Sequence, residues 1–251
     1  MSALAYLTFL KHGDTSELRE HPNDLHISIK LGHHSASCKK SILNHETFIT
    51  EMNIINVAIV YHSIYGHTKL QAEAVLEGAK RLPDVQAKLY TVEEATVQLD
   101  ELDFADAIIF GCPTYMGSMS AAMKAFIEAA AKKWFSLAWK DKVAGAFTNS
   151  TSFSGDKLNT LMGLVVNAMQ HGMIYVGLGL MPSSNRPEEM HSPSGPGADA
   201  LNRVGSFIGP MAASFQIKPP EAPLAGDLET ARIYGERVAA LAAQLKRGKL
   251  A

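Results

Sequence analysis

Five apolar runs of strand length punctuate the chain between residues 56 and 179, with helical patterns set between them. They read NVAIVY (56–61), QAKLYT (86–91), DAIIFG (106–111), KVAGAF (142–147) and MIYVGLG (173–179). Four of the five are nearly continuously apolar, as strands covered on both faces must be. Apolar residues recur at helical spacing over 68–82, 120–133 and 157–171, and a shorter connection fills 93–104. Strand alternating with helix implies right-handed crossovers and a parallel sheet. The expectation is an α/β fold: a doubly wound, five-stranded parallel sheet of order 2-1-3-4-5 with helices on both faces. A last helix is expected from Asp227 as N-cap, with Ala231, Tyr234, Val238, Leu241 and Leu245 on one face and Lys246-Arg247-Gly248 at its close.

This regularity begins only at Met52. Residues 1–51 hold six of the ten histidines and two of the 19 glycines, with neither period of hydrophobicity. They read as an N-terminal extension, disordered or begun at a non-native start, and His33, His34 and Cys38 lack the spacing of a metal site. Residues 52–251 read as the working domain.

A near-neutral formal charge of −2, without a long run of like charge, excludes a nucleic-acid or anionic-membrane surface as the main partner. The two cysteines, Cys38 and Cys112, are too few for a disulfide framework and point to a reducing compartment, the cytoplasm. No apolar stretch approaches the roughly 20 residues needed to span a bilayer, and the opening MSALAYLTFL lacks the cation and cleavage site of an export signal.

In a sheet of this order, ligands bind beyond the carboxyl ends of the strands, where the order reverses. The turn leaving the first strand, Ser63-Ile64-Tyr65-Gly66-His67-Thr68, stands there. It offers two hydroxyls, a glycine free to take positive φ, and the exposed amides of a helix start, which carries about +0.5 charge. That composition suits an anion nest, phosphate above all. The alternative is a capping box made by Thr68 and Gln71, and the residues alone leave the two open. No lysine lies within 62–68, which excludes a triphosphate loop, and a single glycine excludes the dinucleotide fingerprint.

Two more polar loops leave the same edge. In GCPTYMGSMSAAMKAF (111–126), Pro113 and Gly117 bend the chain while Thr114, Tyr115 and Met116 bring amides and apolar groups to the edge. Alone, this could be an ordinary strand-to-helix turn. The third is TNSTSFSGDK (148–157). Together, the three favour a ligand with a phosphate and a planar polar head.

These loops resemble the three FMN-binding loops of the flavodoxin-like NAD(P)H:quinone oxidoreductases of the WrbA type, and the resemblance runs from about Asn56 to Leu245. It includes QHGM at 170–173 and GDLETARIYGERVA at 226–239. It departs at Tyr115, where an arginine is usual, at STSFSG (150–155), and in lacking a long insertion after the second strand.

The resemblance implies a flavodoxin-like FMN-binding domain over 52–251. Ser63 and Tyr65 to Thr68 would hold the phosphate, with Ile64 in the same loop. Pro113, Thr114, Tyr115, Met116 and Gly117 would form the isoalloxazine loop. Ser150, Thr151, Ser152, Phe153, Ser154 and Gly155 would line the ribityl and ring side, and His171 would approach the ring. Tyr65 would also meet the nicotinamide, and Trp134 the quinone. The implied activity is two-electron hydride transfer from NAD(P)H through FMN to a quinone, with no catalytic side chain beyond the flavin and no metal. A one-electron carrier of the flavodoxin kind and a non-catalytic binding protein are the alternatives. Residues 52–251 carry 18 Lys/Arg and 19 Asp/Glu, which does not favour the acidic docking face of a carrier.

His171, next to Gly172, also suits a plain helix C-terminus, and Cys112 suits a crowded strand end. The helix reaching Trp134 is apolar at 121, 122, 123, 125, 126, 127, 129, 130 and 131, wider than one sheet-covering stripe. This favours a subunit contact over a core tryptophan, and family members assemble as dimers or tetramers. A homodimer or homotetramer is therefore expected.

Overall fold

The computed structural model describes residues 54–187 and 190–250. The expectations for residues 1–51 lie outside the described residues. In chain order the elements are β1 (Ile55–Tyr61), α1 (His67–Ala79), β2 (Val85–Thr91), α2 (Val92–Val97), β3 (Ala107–Tyr115), β4 (Ser118–Met119), α3 (Ala121–Ala129), α4 (Ala131–Phe135), β5 (Val143–Ser150), α5 (Lys157–Gln170), β6 (Ile174–Tyr175), β7 (Met211–Ala213) and α6 (Ala225–Leu250). The sheet runs β2-β1-β3-β5-β6, all parallel. This is the expected order of five strands.

The alternation of β3 divides the core between the two faces. Ile108 and Phe110 pack with Met123, Phe126, Trp139, Leu161 and Leu164 on one side. Ala107 and Ile109 pack with Val75, Tyr234 and Val238 on the other. On that second face α1 and α6 meet backbone to backbone: a Cβ on Gly78 would lie 1.8 Å from the Arg232 carbonyl oxygen. This fixes α1, and with it the first loop of the site.

The fifth strand differs from the expected run 173–179. Only Ile174 and Tyr175 pair with β5, at Val143 and Ala144. The chain then leaves the sheet and returns as β7, whose Met211 to Ala213 pair in parallel with Thr148 to Ser150. Across the gap the Tyr234 hydroxyl accepts from the Ala146 amide (3.2 Å) and donates to the Val176 carbonyl (2.6 Å). A side chain from α6 thus satisfies backbone that a continuous strand would have paired.

The helices carry three corrections. The expected helix 120–133 is interrupted at Ala130, where α3 gives way to α4. The break coincides with buried Lys133, whose ammonium is drawn to Asp100 (2.6 Å) and Asp103. Asp227 is not the N-cap of the last helix. It lies inside the first turn of α6 with its carboxylate buried against Arg203, and α6 runs on through Lys246-Arg247-Gly248 to Leu250. Among the described residues, no helix is long and apolar enough to cross a membrane.

Candidate functional site

A cavity of about 690 Å³ opens at the carboxyl ends of β1, β3 and β5, where the strand order reverses. Its size suits a small-molecule ligand. Ser63, Tyr65, Gly66, His67 and Thr68 form one wall, Pro113, Thr114 and Tyr115 another, and Asn149, Ser150 and Thr151 a third. The cavity is closed by Ser214 and residues 216–219, which follow β7.

The first wall is a local construction. Gly66 caps α1 with φ 91° and ψ −21°, a conformation that glycine takes freely. The Ser63 Oγ accepts from the Gly66 amide (3.2 Å). The capping-box alternative is overturned: no side chain caps α1, and Thr68 and Gln71 are both buried within it. Gln71 Nε2 donates instead to the Pro210 carbonyl (3.4 Å). The actual capping box, Thr91 with Glu94, starts α2. Thr68 turns to the cavity, beside the first amides of a helix, which lack intrahelical acceptors.

The second wall is not a loop but the end of a strand. β3 extends through Tyr115 and turns back as β4, pairing Thr114 with Met119 and Tyr115 with Ser118. Met116 (φ 48°) and Gly117 (φ 77°) make the two-residue turn, both left-handed as a type I′ hairpin demands. Met116 is fully exposed at its tip. Tyr115 packs edge-on to Tyr65 at 6.5 Å, and burial raises its phenol pKa. Behind it the Thr114 hydroxyl is hydrogen-bonded to those of Thr148 (2.9 Å) and Thr160 (2.7 Å). Cys112 below is inert, its thiol pushed up to about 12 by burial.

The third wall is held from behind. Lys157 is fully buried, and its ammonium donates to Ser150 Oγ (3.1 Å) and the Ser152 carbonyl. Burial lowers its pKa to about 8, with Arg203 adding to the shift and Asp227 opposing it. Arg203 grips Asp227 by two bonds of 2.9 Å, and the Asp227 carboxylate also accepts from the Ala213 amide (3.1 Å). Burial raises the Asp227 pKa, and these bonds oppose it. Phe153 and Phe215, 4.9 Å apart, both lie against the Arg203 guanidinium.

Several expected site residues lie elsewhere. Ile64 and Met116 are exposed beside the cavity, and Gly117 lies at the hairpin turn. Phe153 and Ser154 face a separate groove that includes Asp156 and Met162. Ser152 and Gly155 fold back on the loop, where a Cβ on Gly155 would meet the Ser150 hydroxyl at 2.4 Å. His171 caps the far end of α5, a helix of 14 residues running about 20 Å away from the cavity. Its buried ring stacks on Trp139 (4.5 Å), and burial lowers its pKa. The expected approach of His171 to the ring is therefore not made within this chain. Trp134, 43% exposed, packs at a tilt against Phe135 (4.7 Å) outside the cavity.

Asn149, Ser214, Gln216, Ile217, Lys218 and Pro219 line the cavity without having been singled out. The sequence did carry a signal, in a proline-rich stretch following the fifth strand on the ligand side. His67 Nε2 lies 2.6 Å from the Ile217 carbonyl and ties this segment to the first wall.

The donor set fits FMN. The nest presents neutral donors and helix amides to a phosphate, and Tyr65 and Tyr115 offer aromatic surface to a planar ring. Asn149 Oδ1 is buried in the third wall without a partner, an acceptor awaiting a ligand N–H or O–H.

Comparison with known proteins agrees. The sequence profile of the NADPH-dependent FMN reductase family matches residues 65–186. Flavodoxin FldP of Pseudomonas aeruginosa (strain UCBPP-PA14) is 41% identical over 188 residues, 74% of this chain and 96% of its own length. An NAD(P)H dehydrogenase (quinone) of Geobacter sulfurreducens is 32% identical over 214 residues, covering 76% and 99% respectively. The crystal structure of a flavodoxin, WrbA-like protein from Agrobacterium tumefaciens superposes with a TM-score of 0.57 at 44% identity, over 76% of this chain and 98% of that one. The chain belongs to the flavodoxin-like NAD(P)H:quinone oxidoreductase family of the WrbA type.

Proposed function

We propose that this protein binds FMN in the cavity and oxidises NAD(P)H at the expense of a quinone or similar small acceptor. The observation that carries the reading is the convergence of the Ser63 to Thr68 nest, the Thr114–Tyr115 strand end and the orphaned Asn149 acceptor on one cavity. When bound, the flavin supplies the hydride chemistry, and the protein supplies placement.

Each wall then has a task. Ser63, Thr68 and the first amides of α1 hold the phosphate. Thr114, Tyr115 and Asn149 fix the ring and ribityl edge by hydrogen bonds and packing, and Ser150 and Thr151 close the third side. Residues 216–219 exclude water from the phosphate end. Tyr65, 70% exposed at the mouth, meets the nicotinamide. FMN is expected over FAD, since the nest offers donors for one terminal phosphate and the sequence carries no fingerprint for an adenine half.

Trp134 supports a homo-oligomer. It is half-exposed beside exposed Phe135, a surface suited to a partly wet contact between copies, where it would meet the quinone at a neighbour's cavity. The free, buried Cys112 is in keeping with a cytoplasmic location. The name of the FldP relative favours a second reading, a one-electron carrier. One experiment separates the two: reconstitute with FMN, reduce anaerobically with NADH or NADPH, then reoxidise with benzoquinone. Rapid reduction and reoxidation support the enzyme. A bound flavin that neither nicotinamide reduces supports the carrier, and failure to bind FMN overturns both.

A further inference from the structure

We propose that Lys157 is an electrostatic positioning residue: its buried ammonium, one hydroxyl behind the cavity wall, makes the site bind reduced FMN more tightly than oxidised FMN. This rests on the FMN reading above.

The geometry comes first. Lys157 opens α5 and is fully buried. Its Nζ donates to Ser150 Oγ (3.1 Å), and Ser150 lines the cavity. The charged groups facing it are Arg203 and Asp227. Asp227 is engaged by Arg203 through both carboxylate oxygens and by the Ala213 amide. Among the described residues no carboxylate forms an ion pair with Lys157. Two cations thus share one carboxylate, and the surplus positive charge sits against the third wall. Phe153 and Phe215 cover the Arg203 side, so solvent screens this charge poorly.

An ammonium buried without its own counterion destabilises the chain alone, and the same burial lowers the Lys157 pKa. A negative charge forming beyond Ser150 reverses the penalty. With FMN held against this wall, reduction by NAD(P)H would supply one, since a hydride brings two electrons and one proton, a single net negative charge. The lysine neither gives nor takes a proton in this step. It favours the charged product through Ser150 and thereby raises the two-electron potential of the bound flavin.

The test compares the parent, Lys157→Met and Lys157→Arg at pH 7, with dissociation constants for oxidised FMN and midpoint potentials measured anaerobically. Lys157→Met is expected to weaken reduced FMN at least about tenfold more than oxidised FMN, which for a two-electron couple lowers the potential by about 30 mV. Lys157→Arg, which keeps the charge, is expected to recover most of the loss. Equal weakening of both forms would mean that Lys157 serves only the loop or the phosphate, and would overturn the proposal. Should the variants fold poorly, lysine-labelled parent holoprotein gives the answer by NMR: the Lys157 pKa must rise when FMN is reduced, and the same value in both forms overturns the proposal. If the parent does not bind FMN, the functional reading itself falls, and the first titration reports that separately.

Discussion

The first and third loops of the cavity face the same space but are built in opposite ways. The first is self-contained: Gly66 turns the chain, Ser63 closes on the Gly66 amide three residues away, and α1 begins at once. The third is shaped from outside. Ser150 and Ser152 are bonded to Lys157, and the charged groups facing that lysine, Arg203 and Asp227, lie 46 and 70 positions further along the chain. A turn made of neighbouring residues can spend its polar groups on a ligand. A turn anchored on a buried charged cluster ties ligand binding to the stability of the whole sheet edge. Substitutions in the first should therefore change binding with little effect on folding, and substitutions under the third should change folding first.

The largest effect is expected at Arg203. Removing Arg203 strips the buried Asp227 carboxylate of both guanidinium bonds and leaves it the Ala213 amide and the Lys157 charge, and breaking a buried ion pair in this way costs about 3–5 kcal/mol. Arg203→Met should lower unfolding stability in urea by that amount, and Arg203→Met with Asp227→Leu should recover only part of it, because the buried Lys157 ammonium then has no facing carboxylate. A loss of less than about 1 kcal/mol in the single variant would show that the third loop is as self-sufficient as the first.

Lys157 gives the next effect, with a definite sign. Its folded pKa of about 8 lies below its ordinary value of 10.5, so between these limits the unfolded chain binds more protons and stability rises with pH. Below pH 8 the penalty is complete, and above 10.5 it is gone. Its full size is about 3 kcal/mol. In the FMN-free protein, the stability of Lys157→Met relative to the parent should therefore decline by about that much from pH 7.5 to 10.5. A difference that stays constant with pH would mean that the ammonium is solvated in solution.

How much of this was legible in the sequence follows from the same contrast. Continuous apolar runs and helical spacing imply a doubly wound sheet, and the order of that sheet puts the turn after β1 at the ligand edge. The first loop could be read because its residues are adjacent. The third could be read only as polar. Nothing near Lys157 in sequence tells that Arg203 and Asp227 will meet it, and Asp227 itself looked like a helix cap. The divided fifth strand was hidden for a related reason: residues 173–179 have the composition of a strand, but the partner of the Ala146 amide is a tyrosine hydroxyl from α6. Periodicity records which side chains are buried. It does not record which element supplies a hydrogen bond across 88 positions.

Within the first loop, the double change Ser63→Ala with Thr68→Ala should weaken FMN about a hundredfold, or about 2.7 kcal/mol, the size of two hydrogen bonds to a charged group. Stability without FMN should fall by no more than about 1 kcal/mol, the size of the one hydrogen bond from the Gly66 amide to Ser63 Oγ that the change removes. Unchanged affinity would remove both residues from the phosphate site.

The smallest effect is expected at Gly66, which with its neighbour His67 brings the first loop against the distant covering segment. Its φ of 91° is costly for any residue with a Cβ, and a Cβ there would lie 3.1 Å from Pro219 Cγ in the covering segment. The left-handed conformation alone costs about 1–2 kcal/mol in an L-residue. Pro219 can yield part of the contact, because its segment is tied to the first loop through the single bond between His67 and the Ile217 carbonyl. Gly66→Ala should therefore lower stability by about 1–2 kcal/mol. FMN affinity should fall by up to about tenfold, the same 1.4 kcal/mol appearing as a displaced Gly66 amide. His67→Ala in the same background separates the two causes. If the strain is in the backbone, freeing the covering segment restores nothing; if it is the clash with Pro219, most of the lost affinity returns, and the first loop is less independent of the rest of the chain than its sequence suggests.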